Sequence, residues 1–175
     1  KAFNAQAQQL TQVLTSEVNQ RDQALQSLDL LLKNILDAAT GVSIIATDPD
    51  RIIRVFNRGA ERMLGYTADE VIGRFTPELM HDADELRVQN QLMAARFGEP
   101  FHGIDGYVAQ TRHQADPQVF QCHYRRMDGS YLLVHLVVMV MRDHTAAITG
   151  YLGFAIAVSA QPEREIRLQT AQVEA

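Results

Sequence analysis

The stretch YLLVHLVVMVM, residues 131–141, decides how the rest of the chain can be arranged. Successive residues of an extended strand point to opposite faces of its sheet. The odd set is Tyr131, Leu133, His135, Val137, Met139 and Met141; the even set is Leu132, Val134, Leu136, Val138 and Val140. Both sets are apolar, so a strand here needs cover on both sides. The run is too short to cross a bilayer, which takes about 20 apolar residues, and His135 interrupts it.

The flanking sequence supplies partners. PQVFQCHYRR and the turn Met127-Asp128-Gly129-Ser130 precede it and predict a strand–turn–strand unit. With a two-residue loop at Asp128-Gly129, Cys122 stands directly across from His135 on one face. With a glycine bulge, His123 joins the His135 face and Cys122 does not. ITGYLGFAIAVS, residues 148–159, reads as a last strand, and VSIIAT (42–47) and RIIRVF (51–56) flank Asp48-Pro49-Asp50 as an earlier hairpin.

Between the hairpins lie helices, all but one of them short. In NRGAERMLGYTADEVIG, residues 57–73, Asn57 is an N-cap and Gly65 a left-handed stop. Thr67 and Glu70 form a capping box for a second short helix, which Gly73 closes. Helices this short are marginal in water and must lie on something larger. Thr76-Pro77 marks another start. Asp82-x-x-Glu85 reads as a capping box opening a helix through Leu86, Leu92 and Met93 to Gly98, and a further helical turn spans 104–112. These pieces cover one face of a sheet. The other face needs the N-terminal segment or a second chain.

Residues 1–38 contain no Gly or Pro and carry a heptad pattern. Thr11, Val18, Leu25 and Leu32 take one seam position; Ala7, Leu14, Arg21, Leu28 and Ile35 take the other. A single helix packed on its own domain is the plain alternative, but a helix of ~57 Å overruns a small domain. We therefore expect a two-chain coiled coil, with Leu14, Val18, Arg21, Leu25, Leu28, Leu32 and Ile35 in a homodimer interface.

Bulk properties narrow the classes. With 175 residues the chain buries one good core and falls short of two ordinary domains with linkers. A formal net charge of -5, with no basic stripe, argues against nucleic-acid binding. One cysteine, Cys122, excludes an internal disulfide and a multi-cysteine zinc site, and fits a cytoplasmic setting. The first residue is Lys, so we expect a piece of a longer protein, whose membrane anchor, if it has one, lies outside this sequence.

In order, the hairpin around Asp48-Pro49-Asp50, FNRGAERMLGYTADEVIG, YRRMDGS before a long strand, and ITGYLGFA resemble the PAS sensor domain. The likeness runs over roughly residues 35–159. It implies an α+β fold: a five-stranded antiparallel sheet with short helices over one face, here preceded by a long coiled-coil helix. The expected division is a helix at 1–40, a PAS domain at 41–160 and a linker helix at 161–175, PEREIRLQTAQVEA. Many members of the family end the last strand in Asp-Ile-Thr, with the Asp helping to couple strand to helix; here Ala157-Val158-Ser159 stand, without the acidic group.

The function implied is a dimeric sensor or regulatory domain in bacterial signal transduction. It would relay a signal through helical linkers to an output domain in the same chain, of histidine kinase or diguanylate cyclase type. The alternatives are a ligand-free dimerisation module and a haem-based gas or redox sensor. The pocket that the family commonly has between sheet and helices would take a small molecule. Its candidate residues are Phe75, Leu79, Met93, Ile104, Tyr107, Cys122, His135, Val137 and Met139, the last two if the odd face points inward.

The cofactor stays open. Haem needs an axial ligand, for which His81, His102 and His113 are candidates, although a His beside a cap such as Asp82 more often serves the surface. A flavin photoreceptor of this family would use a reactive Cys in an Asn-Cys-Arg-like helical motif. The helical region 57–73 has no Cys and Cys122 falls on a predicted strand, so flavin–cysteine chemistry is not expected. Cys122 and His135 read as a buried thiol beside a core His, or as a polar spot orienting one ligand group. No nucleophile–base set or phosphate loop is legible, so we expect no metal site and no catalysis by this segment.

Overall fold

The computed structural model describes residues 2–113 and 116–158. The chain divides into two units, the first ending at Ala38 and the second starting at Ala39. The first is a single helix, α1 (Ala2–Ala38). Leu14, Val18, Leu25, Leu28, Leu32 and Ile35, the apolar seam residues, are all exposed along it. Thr11 sits in the seam without an unpaired hydroxyl, because its Oγ1 donates to the Ala7 carbonyl at 2.8 Å. The expected helix over 161–175 lies outside the described residues.

The second unit is built on a five-stranded antiparallel sheet in the order β2-β1-β5-β4-β3. Its strands are β1 (Ser43–Thr47), β2 (Ile53–Phe56), β3 (Gln118–Arg125), β4 (Tyr131–Arg142) and β5 (Ile148–Ala157). β2 begins two residues later than the sequence suggests. Asp48 Oδ1 accepts the N–H groups of Asp50 and Ile52, each at 3.0 Å, and Arg51 turns left-handed at φ 69. Those residues are spent on the turn.

The same sheet face carries α2 (Arg58–Leu64), α3 (Ala68–Val71), a 3-10 turn (Pro77–Met80), α4 (Ala83–Phe97) and α5 (Asp105–His113). Between these pieces and the sheet lies one core in which Ile53, Leu64, Val71, Met80 and Val134 are fully buried. Gly65 at φ 84 stops α2 as expected. Glu70 Oε2 accepts the Thr67 N–H at 2.8 Å and so starts α3.

Two caps do more than local work. Asn57 accepts the Ala60 N–H at 2.9 Å, but its Oδ1 also takes the Ile44 N–H at 2.8 Å. Its amide donates to the carbonyls of Ala39 and Val42. One buried side chain therefore ties α2, β1 and the segment before β1 together. Next to it, a Cβ on Gly59 would meet the Val42 carbonyl oxygen at 1.9 Å, so only glycine lets α2 approach this closely. Asp82 caps α4 by accepting the Glu85 N–H at 2.9 Å. Glu85 does not close the expected capping box. Its Oε2 accepts the His123 backbone N–H at 2.7 Å and its Oε1 lies 2.6 Å from His123 Nδ1, fastening α4 to the edge strand β3.

β4 settles which face points inward. Val134, Leu136 and Val138 are buried in the core, whereas Leu133, Val137 and Met139 are half-buried on the opposite face and His135 is exposed. Val119, Tyr131 and Ile156 stand exposed on that outer face too. In the β3–β4 register Cys122 pairs with Val134, and His135 with Gln121. The connecting loop is longer than two residues: Arg126 N–H donates to the Ser130 carbonyl at 2.8 Å, and Gly129 takes φ 84. Cys122 and His135 are therefore on opposite faces, and His123 shares the face of His135.

Candidate functional site

Where the helices arch over the centre of the sheet they leave a cavity of about 40 Å³. Its floor is the inner face of the sheet: Ile45 and Thr47 of β1, Leu136 and Val138 of β4, Tyr151 and Gly153 of β5. Its roof is His81 with Ile104, Tyr107 and Val108 around the start of α5. Gly153 makes part of the room. A methyl there would sit 3.5 Å from Leu136 Cδ1, in ordinary contact and without backbone strain.

One wall is aromatic and neutral. The buried His81 ring lies 5.2 Å from Tyr107 and 5.0 Å from Tyr124, the latter edge-on. Burial lowers the His81 pKa to about 4, so it is neutral imidazole at ordinary pH. Burial pushes the Cys122 thiol up to about 12, helped by the Glu85 charge, while a hydrogen bond with Tyr107 pulls the other way. Burial likewise raises both tyrosine hydroxyls, with Cys122 adding to the effect at each. Cys122 is thus an inert thiol behind the wall rather than a nucleophile.

The opposite wall is charged and partly open. Arg51 lines the cavity, and its side chain is 29% exposed, which places it at the mouth. Its Nε lies 3.0 Å from Asp105 Oδ1, and Arg112 Nη2 approaches the same oxygen at 3.9 Å. That oxygen is buried without a directed hydrogen bond from a described residue, so the contact is electrostatic. Arg112 Nε donates to the Tyr151 hydroxyl at 2.7 Å. Thr47 Oγ1, also buried, has no partner among the described residues.

Of the sequence candidates, Ile104 and Tyr107 line this cavity. Cys122 lies just behind Tyr107, and Met93 is buried on α4 away from the lining. Leu79 packs against the core from outside, and Phe75 is exposed. His135, Val137 and Met139 are excluded because the odd face of β4 points outward. His81, a candidate haem ligand whose plainer reading is a surface or capping role, is a buried wall residue. His102 is exposed beside α4, and the side chain of His113 falls outside the described residues. Sequence reasoning missed Thr47, Arg51 and Tyr151; the available signal was a lone Arg directly after a turn cluster.

A haem or flavin does not fit these residues. Cofactor pockets run to roughly 300 Å³ or more, and this cavity is far smaller. Among the described residues no group of three or more His, Cys, Asp or Glu could hold a metal ion, and no helix is long and apolar enough to cross a membrane.

Comparison with known proteins agrees with the geometry. The Sensor protein FixL of Bradyrhizobium diazoefficiens is 26% identical over 162 residues, which span 90% of this chain and 28% of FixL. The PAS domain of an HTR-like protein from Haloarcula marismortui superposes with a TM-score of 0.57 at 18% identity, covering 80% of this chain and 99% of that domain. An RNA-binding Light-Oxygen-Voltage receptor gives 0.59 at 21% identity, over 83% of this chain and 37% of the receptor. The PAS fold family matches residues 30–158, most of the chain and the whole of the sheet, and the chain belongs to that family.

Proposed function

We propose that this chain is a dimeric PAS regulatory segment that relays a change in its cavity through helical connections to an output domain of the same polypeptide. The observation that carries the reading is α1. Its seam residues Val18, Leu25, Leu28, Leu32 and Ile35 repeat at heptad spacing and stand exposed, which a lone helix in water would not favour. The apolar outer face of the sheet, with Val119, Val137 and Met139, offers a second copy a further surface. The FixL relative supports a sensor role, and the chain spans about a quarter of that protein's length. An output domain of histidine kinase or diguanylate cyclase type, and a cytoplasmic setting, complete the proposal. We read the segment as regulatory rather than catalytic, in keeping with a protonated Cys122 thiol and a neutral His81 imidazole.

Sedimentation equilibrium tests the dimer, and cross-linking tests its register. Cys122 is buried, so a cysteine introduced at the seam is the reactive one. Leu25→Cys should form an interchain disulfide under mild oxidation, and Gln23→Cys on the opposite helix face should not. A monomer at every concentration, with Leu25→Cys uncrosslinked, would remove the proposal.

A further inference from the structure

The cavity differs sharply from end to end. Its interior is aliphatic and aromatic, and its mouth holds a guanidinium, Arg51, that shares a single carboxylate oxygen with Arg112. Two cations on one anion leave one positive charge without a full counterpart. Of the other carboxylates around the mouth, Asp48 is paired with Arg54 at 2.7 Å, Asp50 is exposed, and Glu78 Oε1 accepts the Ile104 N–H at 3.2 Å. Beside the mouth, the Thr47 hydroxyl is buried and unpartnered among the described residues, although buried polar groups nearly always find a partner. A charge short of an anion, and a donor short of an acceptor, border the same small space.

Size limits what enters. A cavity of roughly 150 Å³ holds a benzene ring. One of about 40 Å³ holds about two carbon-sized atoms by the same scale, so only a ligand's alkyl end lies inside and its polar end stays at the mouth beside Arg51. A longer tail has no room beneath the roof of Ile104, Tyr107 and Val108.

We propose that this cavity takes a short-chain monocarboxylate of about three to four carbons, held by its carboxylate at Arg51 and Thr47 with its alkyl end over Gly153. Binding needs no charge left unpaired. The ligand's carboxylate takes over Arg51, and Asp105 stays with Arg112, so two guanidiniums face two carboxylates. Because Asp105 is the first residue of α5, handing Arg51 to a ligand loosens the tie between the β1–β2 turn and α5. The ligand is thereby coupled to helix packing over the sheet. This deepens the sensor reading and rests on it for its biological meaning.

The test titrates the 175-residue chain with propionate, butyrate, octanoate, butyramide and butylamine, following methyl NMR signals of Val108, Leu136 and Val138. Propionate and butyrate should give saturable shifts, and octanoate, butyramide and butylamine should bind about tenfold or more weakly. Arg51→Gln should reduce butyrate to the level of butyramide, and Gly153→Ala, which fills the floor by ordinary contact, should exclude butyrate while the fold persists. The inference is overturned by the absence of saturable shifts, by equal binding of octanoate, amide or amine, or by wild-type butyrate binding in either variant. If Arg51→Gln does not fold, the butyrate–butyramide comparison and Gly153→Ala decide. Sedimentation of the same samples separates the two readings. A dimer that ignores butyrate defeats only the carboxylate, and a monomer that binds it defeats only the relay.

Discussion

Leu136 and Leu133 sit three residues apart on β4 and differ chiefly in the face they point from. Leu136 is buried against the cavity and the helices; Leu133 is half-buried on the outer face, across from His123. Equally apolar residues of one strand thus differ in whether the domain itself covers them. Leu136→Ala should cost about 4 kcal/mol of stability in urea unfolding, since the adjoining void leaves little to collapse into the gap. Leu133→Ala should cost about 1 kcal/mol or less at low protein concentration. If a second copy covers the outer face, the cost of Leu133→Ala grows with concentration while that of Leu136→Ala does not. Equal costs at all concentrations would erase the distinction between the faces.

The inner side also holds the imidazole that the outer side would leave in water. His81 has a folded pKa of about 4 against about 6.5 unfolded. Its neutral form fits the core, so its contribution is complete above the unfolded value. It is lost as pH falls from about 6.5 to about 4, because the unfolded chain takes up the proton first. The loss amounts to about 3 kcal/mol. His81→Phe keeps a ring between Tyr107 and Tyr124 but cannot titrate, so its stability should fall less than the wild type's between pH 7 and pH 4.5. Parallel pH profiles would show that His81 is hydrated and not a wall residue.

Much of this architecture was legible in the residues themselves. Gly65, the Thr67–Glu70 pair and the Asp48 turn act locally, and short-range chemistry is what a sequence displays best. The facing of β4 was not legible, because alternation carries information only when one set is polar, and here neither is. The site residues were lost with it: His135, Val137 and Met139 follow the outward face, and Cys122 was placed by a loop length that two hydrogen-bonding patterns could satisfy. His81 lies beside a cap, where burial is not expected, and is enclosed by two residues distant in sequence, Tyr107 and Tyr124, the latter on the strand that bridges to it. Arg51 and Asp105 are far apart in sequence, and only the fold makes them a pair.

On the outer face, Met139→Lys should leave monomer stability within about 0.5 kcal/mol of wild type, since a half-buried side chain can lead its ammonium to water. In an apolar dimer contact the same charge is costly, so dimer dissociation should rise about tenfold. Urea unfolding at low concentration reads the first quantity and sedimentation equilibrium the second. An unchanged dimer constant would assign self-association to α1 alone and leave the outer face without a partner.

The smallest effect tests the void itself. At Gly153 the inner face lacks a side chain between Ile45 and Leu136, and an added methyl would meet Leu136 Cδ1 at 3.5 Å and the Ile45 carbonyl oxygen at 3.8 Å. Neither contact is strained, and alanine has less freedom to lose from the unfolded chain than glycine. Gly153→Ala should therefore raise stability by about 0.5 kcal/mol. A close-packed inner face would respond in the opposite direction, losing about 1 kcal/mol or more to overpacking. The sign of the change, read from the urea midpoint, decides whether the floor of the cavity is close-packed or open. A gain in stability coupled to loss of butyrate binding favours the second.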